Sequence, residues 1–115
     1  MKVDIVTEPF ATGYLVKVKG DVDMHSSADM REALNQVFKQ RSSAMKALVV
    51  DLSQVRYMDS SGIATLVEAL QNCMKQGLQL RLASLSAPVK DVFELARLAA
   101  IFEIHASLSD AMADR

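Results

Sequence analysis

Residues 47–52, Ala-Leu-Val-Val-Asp-Leu, form a short apolar run that does not alternate with polar residues. A strand with one face in water alternates; a strand apolar at both parities is covered on both faces, as in a parallel or mixed sheet with helices packed on it. The flanking residues supply those helices. Upstream, within 26–40, Met30, Ala33, Leu34, Val37 and Phe38 recur at helical spacing, with Ser26 and Asp29 as a capping pair. Downstream, Ile63, Leu66, Val67, Leu70 and Met74 make a second stripe that ends near Gly77.

The rest of the chain extends this pattern. Residues 3–7 and 14–19 are rich in β-branched and aromatic side chains, and the segment from Glu8-Pro9 to Gly13 has turn chemistry, which together predict an antiparallel hairpin. Residues 78–83 read as a strand in which Leu78, Leu80 and Leu82 alternate with Gln79, Arg81 and Ala83. Ser86 is placed to cap a third helix, with Pro88 in its first turn and a stripe of Val89, Val92, Phe93 and Ala96. A last strand is expected at 101–104, and Ser107 with Asp110 caps a short terminal helix. The order β-β-α-β-α-β-α-β-α predicts one α/β domain spanning 1–115, a small mixed sheet with about four helices. No repeat, low-complexity segment or Pro/Gly/Ser-rich linker divides it.

Charge and composition remove several functions. Thirteen Lys and Arg stand against fourteen Asp and Glu, a net charge of −1, where a protein that neutralises nucleic-acid phosphates shows a basic excess. The apolar runs fall far short of the ~20 residues that span a bilayer, and the charged N-terminal segment does not read as a signal peptide. The expected setting is the cytoplasm, with no direct membrane insertion. Cys73 is the single cysteine, so an intrachain disulfide and a thiolate cluster are excluded; packing is its expected role. His25 and His105 stand alone rather than at metal-ligand spacing, so neither a metal nor another cofactor is expected. Among the methionines, Met30 and Met74 are expected in the core, and Met24 and Met58 near a partner contact.

The chemistry concentrates at 57–66, YMDSSGIATL, where a loop enters the second helix. A helix N-terminus exposes unpaired N–H groups and the positive end of the dipole, which favour a capping oxygen or an anion. Asp59, Ser60 and Ser61 are all favoured cap residues, but one cap requires one residue and three crowd this entry. Small Gly62 and Ala64 leave the first turn open to a partner. Catalysis finds no support: a nucleophile elbow needs Gly-x-Ser-x-Gly, and Met58 stands where its first glycine belongs. No phosphate-cradling Gly-rich loop is present. The chain is read as a non-enzyme.

Segment 58–70, MDSSGIATLVEAL, resembles the signature loop and helix of STAS domains, the fold of bacterial anti-sigma factor antagonists. The likeness extends along nearly the whole chain. Segment 20–34, GDVDMHSSADMREAL, is similar to the family's stretch leading into its first helix. Segment 47–62 is similar to its central strand and phosphorylation loop, and segment 85–104 to its closing helix and last strand. The resemblance implies a STAS-like sandwich and a partner-switching protein that binds an anti-sigma serine kinase, is released by phosphorylation, and is restored by a serine phosphatase. It places the phosphoacceptor at Ser60, with Ser61 beside it. The implied docking surface is Asp21, Asp23, His25, Met58, Asp59, Ser61, Gly62 and Thr65. Many antagonists carry Gly-Leu-Gly where this chain has Gly62-Ile63-Ala64. That departure keeps a second reading open, a small STAS subunit docked on the ATPase of a bacterial lipid-transport ABC complex. A receiver domain, which Asp51 at the end of the buried strand would suit, is disfavoured because the chain opens with a hairpin and not with a strand followed by an acidic pair.

Overall fold

The computed structural model describes residues 3–113. Its elements follow the expected order: β1 Asp4–Phe10, β2 Gly13–Lys19, α1 Ser27–Gln40, β3 Ala47–Gln54, α2 Ser60–Gln76, β4 Gln79–Ala83, α3 Ala87–Leu95, β5 Glu103–His105 and α4 Leu108–Met112. The strands lie side by side in sequence order in one mixed sheet. β1 and β2 are antiparallel, and β3, β4 and β5 add in parallel.

The non-alternating run at 47–52 is central β3, and all six of its residues are buried. On one face, Leu48, Val50 and Leu52 pack with Val16, Val18, Leu80 and Leu82 against α1, α2 and α3. Met30, Leu34 and Val37 come from α1, Leu66, Ala69 and Cys73 from α2, and Val89 and Phe93 from α3. The Phe93 ring meets Phe102 edge-on, with centroids 5.4 Å apart. On the other face a smaller cluster of Leu15, Val49 and Ala83 is capped by Ala111, with Leu108 and Met112 beside it. The single short helix α4 therefore closes the second side.

Several local expectations are corrected. β1 runs through Pro9 and Phe10, and the turn is confined to Ala11 and Thr12. Proline is tolerated there because β1 is the sheet's outer strand. The buried stripe of α2 passes through Gly62, Thr65, Leu66, Ala69 and Cys73, so Met74 is 72% exposed and not in the core. Ile63, Val67 and Leu70 flank the stripe, partly buried. Gly77 ends α2 in the left-handed conformation (φ 72°) that glycine adopts without steric cost. β4 is buried on both faces: Arg81 is 3% exposed. Its guanidinium Nη1 donates to the Ala111 and Ala113 carbonyls (3.0 and 3.2 Å), and Nη2 to Gln79 Oε1 (2.7 Å). Arg81 thereby satisfies the open C-terminal carbonyls of α4. β5 is shifted to Glu103–His105, and Ala96 lies at the exposed C-cap of α3. Ser107 caps α4 as expected, accepting the Asp110 N–H at 3.1 Å. No helix among the described residues is long and apolar enough to cross a membrane.

Candidate functional site

Beyond the ends of β2 and β3, the two chains stay joined. The Gly20 N–H donates to the Gln54 carbonyl (3.1 Å), the Val22 N–H to the Tyr57 carbonyl (2.9 Å) and the Asp59 N–H to the Val22 carbonyl (3.1 Å). Val22 and Met58 are thus paired in a parallel bridge. Both side chains point inward and are buried. Because direction alternates along extended chain, Asp21, Asp23, Tyr57 and Asp59 face out. Gly62 in the first turn of α2 rests on the buried pair; a Cβ there would lie 2.7 Å from both Met58 Cγ and Val22 Cγ1.

Asp59 is the N-cap of α2. Its Oδ1 accepts from the Ser61 hydroxyl (2.6 Å), the Ser61 N–H (2.9 Å) and the Gly62 N–H (3.4 Å). The Ser61 hydroxyl bond, first, and the backbone donors hold this carboxyl below the usual carboxylate range, while the nearby Asp23 charge opposes them. Ser60, the first residue of α2, is exposed, and among the described residues no side-chain hydrogen bond engages its hydroxyl. Of two adjacent serines, one is committed to the cap and the other is free.

The neighbouring loop is organised by Asp23. Its Oδ1 accepts the His25 and Ser26 N–H groups at 2.8 and 3.1 Å, and these bonds, the His25 one foremost, lower its pKa. Ser26 does not cap α1 with Asp29 as the spacing suggests. Its hydroxyl turns back, donating to the Asp21 carbonyl (2.7 Å) and accepting the Asp23 N–H (3.0 Å). Ser86 likewise sits at the N-cap of α3 but donates to the Val55 carbonyl (2.7 Å), tying the β4–α3 loop to this end of the sheet.

The structure brings Asp21, Asp23, His25, Asp59, Ser60 and Ser61 together at one surface. Met58, Gly62 and Thr65 belong beneath it instead. All three are buried: the Met58 and Thr65 side chains and the closely packed Gly62 backbone support the site from below and are not part of its exposed surface. The Thr65 hydroxyl donates to the Ser61 carbonyl one turn earlier (3.0 Å) and accepts from Arg31 Nη2 (3.4 Å), and Arg31 in turn bridges to Glu68 (2.9 Å). Of the two methionines expected near a partner contact, Met24 is 73% exposed and Met58 is buried, and one surface residue not singled out by residue type is Tyr57, 51% exposed. The parity of the Val22–Met58 bridge, invisible in either segment alone, is the signal that places Tyr57 outward. Cys73 is buried, which pushes its thiol up to about 12 and leaves it a packing residue.

The family model for the STAS domain matches residues 4–111, nearly the entire chain. The chain belongs to the STAS domain family. This STAS domain is 28% identical over 106 residues to an anti-sigma-B factor antagonist of Bacillus subtilis, covering 92% of this chain and 94% of that protein. It is 32% identical over 87 residues to the anti-sigma-B factor antagonist of Listeria monocytogenes, covering 76% and 74%. Among solved structures, an anti-sigma factor antagonist from Mycobacterium paratuberculosis superposes with a TM-score of 0.85 over 96% of this chain and 91% of that one, at 23% identity. The fold expectation is met, including the order of strands and helices along the chain and the hairpin that sets it apart from a receiver domain.

Proposed function

We propose that this STAS domain is an anti-sigma factor antagonist that binds an anti-sigma factor with serine kinase activity and is released when that kinase phosphorylates Ser60. One observation carries the assignment: the Ser60 hydroxyl is exposed and unengaged at the N-terminus of α2, whereas the Ser61 hydroxyl is spent on Asp59. In the step proposed, Ser60 Oγ bonds to the γ-phosphorus of ATP, the bond to ADP breaks, and the hydroxyl proton passes to a base on the kinase. A phosphatase reverses the state by hydrolysing the Oγ–P bond. The domain is the substrate of this chemistry and catalyses none of it, and it works in the cytoplasm beside the sigma factor's regulators.

The phosphate adds roughly −1.5 to −2 charges at neutral pH. It enters a surface already carrying Asp21, Asp23 and Asp59. At ~5 Å and an effective dielectric of ~20, each unit charge feels about 3 kcal/mol of repulsion from Asp59 before screening. With ~1.4 kcal/mol per decade of affinity, a hundredfold loss of binding needs no refolding. The helix N-terminus offsets part of the new charge locally.

The test uses the native chain and Ser60→Asp as baits in source-cell lysate, followed by phosphopeptide mapping with the captured kinase and ATP. A serine kinase retained by the native bait, lost by Ser60→Asp, and modifying Ser60 but not a Ser60→Ala chain supports the proposal. A transporter ATPase retained equally by both baits, or phosphate on Ser61, overturns it.

A further inference from the structure

A second surface, independent of how Ser60 is used, lies along α3. The helix turns Val89 and Phe93 to the core and leaves Ala87, Lys90, Asp91, Glu94 and Leu95 in solvent. Leu95 is 85% exposed, the largest exposure among the large apolar side chains of the described residues, and Ile101 in the following turn is 53% exposed. Lys90 and Glu94 stand one turn apart, yet among the described residues neither charge has an ion-pair partner. Both line one wall of a groove of about 570 Å³ floored by Leu85, Phe93 and Ile104, so they are open to approach. The charges on the exposed stripe and its end, Lys90 and Arg97 against Asp91 and Glu94, sum to zero.

A charge-balanced, partly apolar helix face whose unpaired cation and anion are one turn apart is complementary to itself under a two-fold axis. Such an interface needs residue i to meet j while j meets i. We propose that the outer face of α3 is the seat of a homodimer in which two copies of α3 lie antiparallel, Lys90 of each against Glu94 of the other. This register brings the exposed Leu95 of each copy onto Ala87 and Pro88 of its mate. It also sets the two Asp91 carboxylates close together near the axis, a built-in repulsion that keeps the association weak. A stable interface takes about 800 Å² from each partner, an eighth of the 6378 Å² this domain exposes. A nine-residue helix face supplies less, so a transient dimer is expected.

Sedimentation velocity on the full chain, from about 5 to about 500 µM, covers the range in which small transient interfaces associate. A concentration-dependent dimer is expected. Leu95→Glu should weaken it about tenfold or more, because each substitution counts twice across the axis. Lys90→Glu should also weaken it, the exchange Lys90→Glu with Glu94→Lys should restore it, and Asp91→Asn should tighten it. Far-UV circular dichroism confirms that these exposed substitutions leave the fold intact. A chain monomeric throughout the range overturns the proposal. So does a dimer indifferent to Leu95→Glu, or one that the double exchange fails to restore.

Discussion

The surface around Ser60 and the outer face of α3 are both open to solvent, and they are built in opposite ways. The first is held by backbone hydrogen bonds between two loops, a packed glycine and a fully engaged cap, and its charged side chains, Asp21, Asp23 and Asp59, are all acidic. The second is one short helix with balanced charges and an exposed leucine. Like charges repel across any two-fold axis, so the acidic surface is unsuited to meeting its own copy and suited to a basic partner. The balanced face meets such repulsion only at Asp91, where the crossed Lys90–Glu94 pairs oppose it. Charge distribution, more than exposure, separates a surface for a foreign partner from one for self.

The widest separation comes from crossing the two substitutions already named. Ser60→Asp should lower kinase affinity about a hundredfold and leave sedimentation unchanged. Leu95→Glu should do the reverse, and any cross-effect measured by titration or centrifugation would collapse the distinction. Next, Gly62→Ala forces a methyl against Met58 and Val22. It should destabilise the domain by about 1–3 kcal/mol in urea unfolding, tempered by how far the Met58 side chain can yield.

Asp59→Ala removes the α2 cap and should cost about 1 kcal/mol, with Asp59→Asn costing less because asparagine caps nearly as well. Asp23 and Asp59 are both held below the ordinary carboxylate range when folded. Their contribution is therefore complete above the unfolded value near 3.9 and is lost as pH falls through the lower folded values. Urea midpoints measured from pH 6 to 2 should fall less steeply in the Asp23→Asn, Asp59→Asn chain. The smallest effect is expected at Met74→Ser, within ~0.5 kcal/mol of wild type as for other exposed sites; a loss as large as that of Cys73→Ser would mean the phase of α2 is wrong.

The element order was legible because each element carries its own periodic signal: the non-alternating run of β3, the helical stripes, the serine at the start of α4. What escaped depends on partners far along the chain. Pro9 looks like a turn residue locally and is allowed in a strand only because β1 has no outer neighbour. Cys73 and Met74 are adjacent and both apolar, and the docking of Gly62 on Val22 and Met58 settles which turns inward. The same bridge decides between Met58 and Tyr57, since a one-residue change of parity exchanges buried and exposed side chains. Asp59, Ser60 and Ser61 stood out by residue type and position at the helix entry, and Asp23 through the family resemblance alone. That Ser61 is bound and Ser60 free required coordinates.

The unpermuted strand order has a consequence for how the chain is made. As synthesis proceeds, each strand from β2 to β5 emerges to find its neighbour already present, so the sheet can grow at one edge without inserting a strand into finished structure. The helix-covered side can close progressively as α1, α2 and α3 follow their strands. The other side cannot. Leu15 and Val49 wait, wetted, until α4 leaves the ribosome and Arg81 fastens its last carbonyls. A nascent chain halted before α4 should therefore present an unfinished apolar face to holdase chaperones, and release should coincide with the arrival of α4.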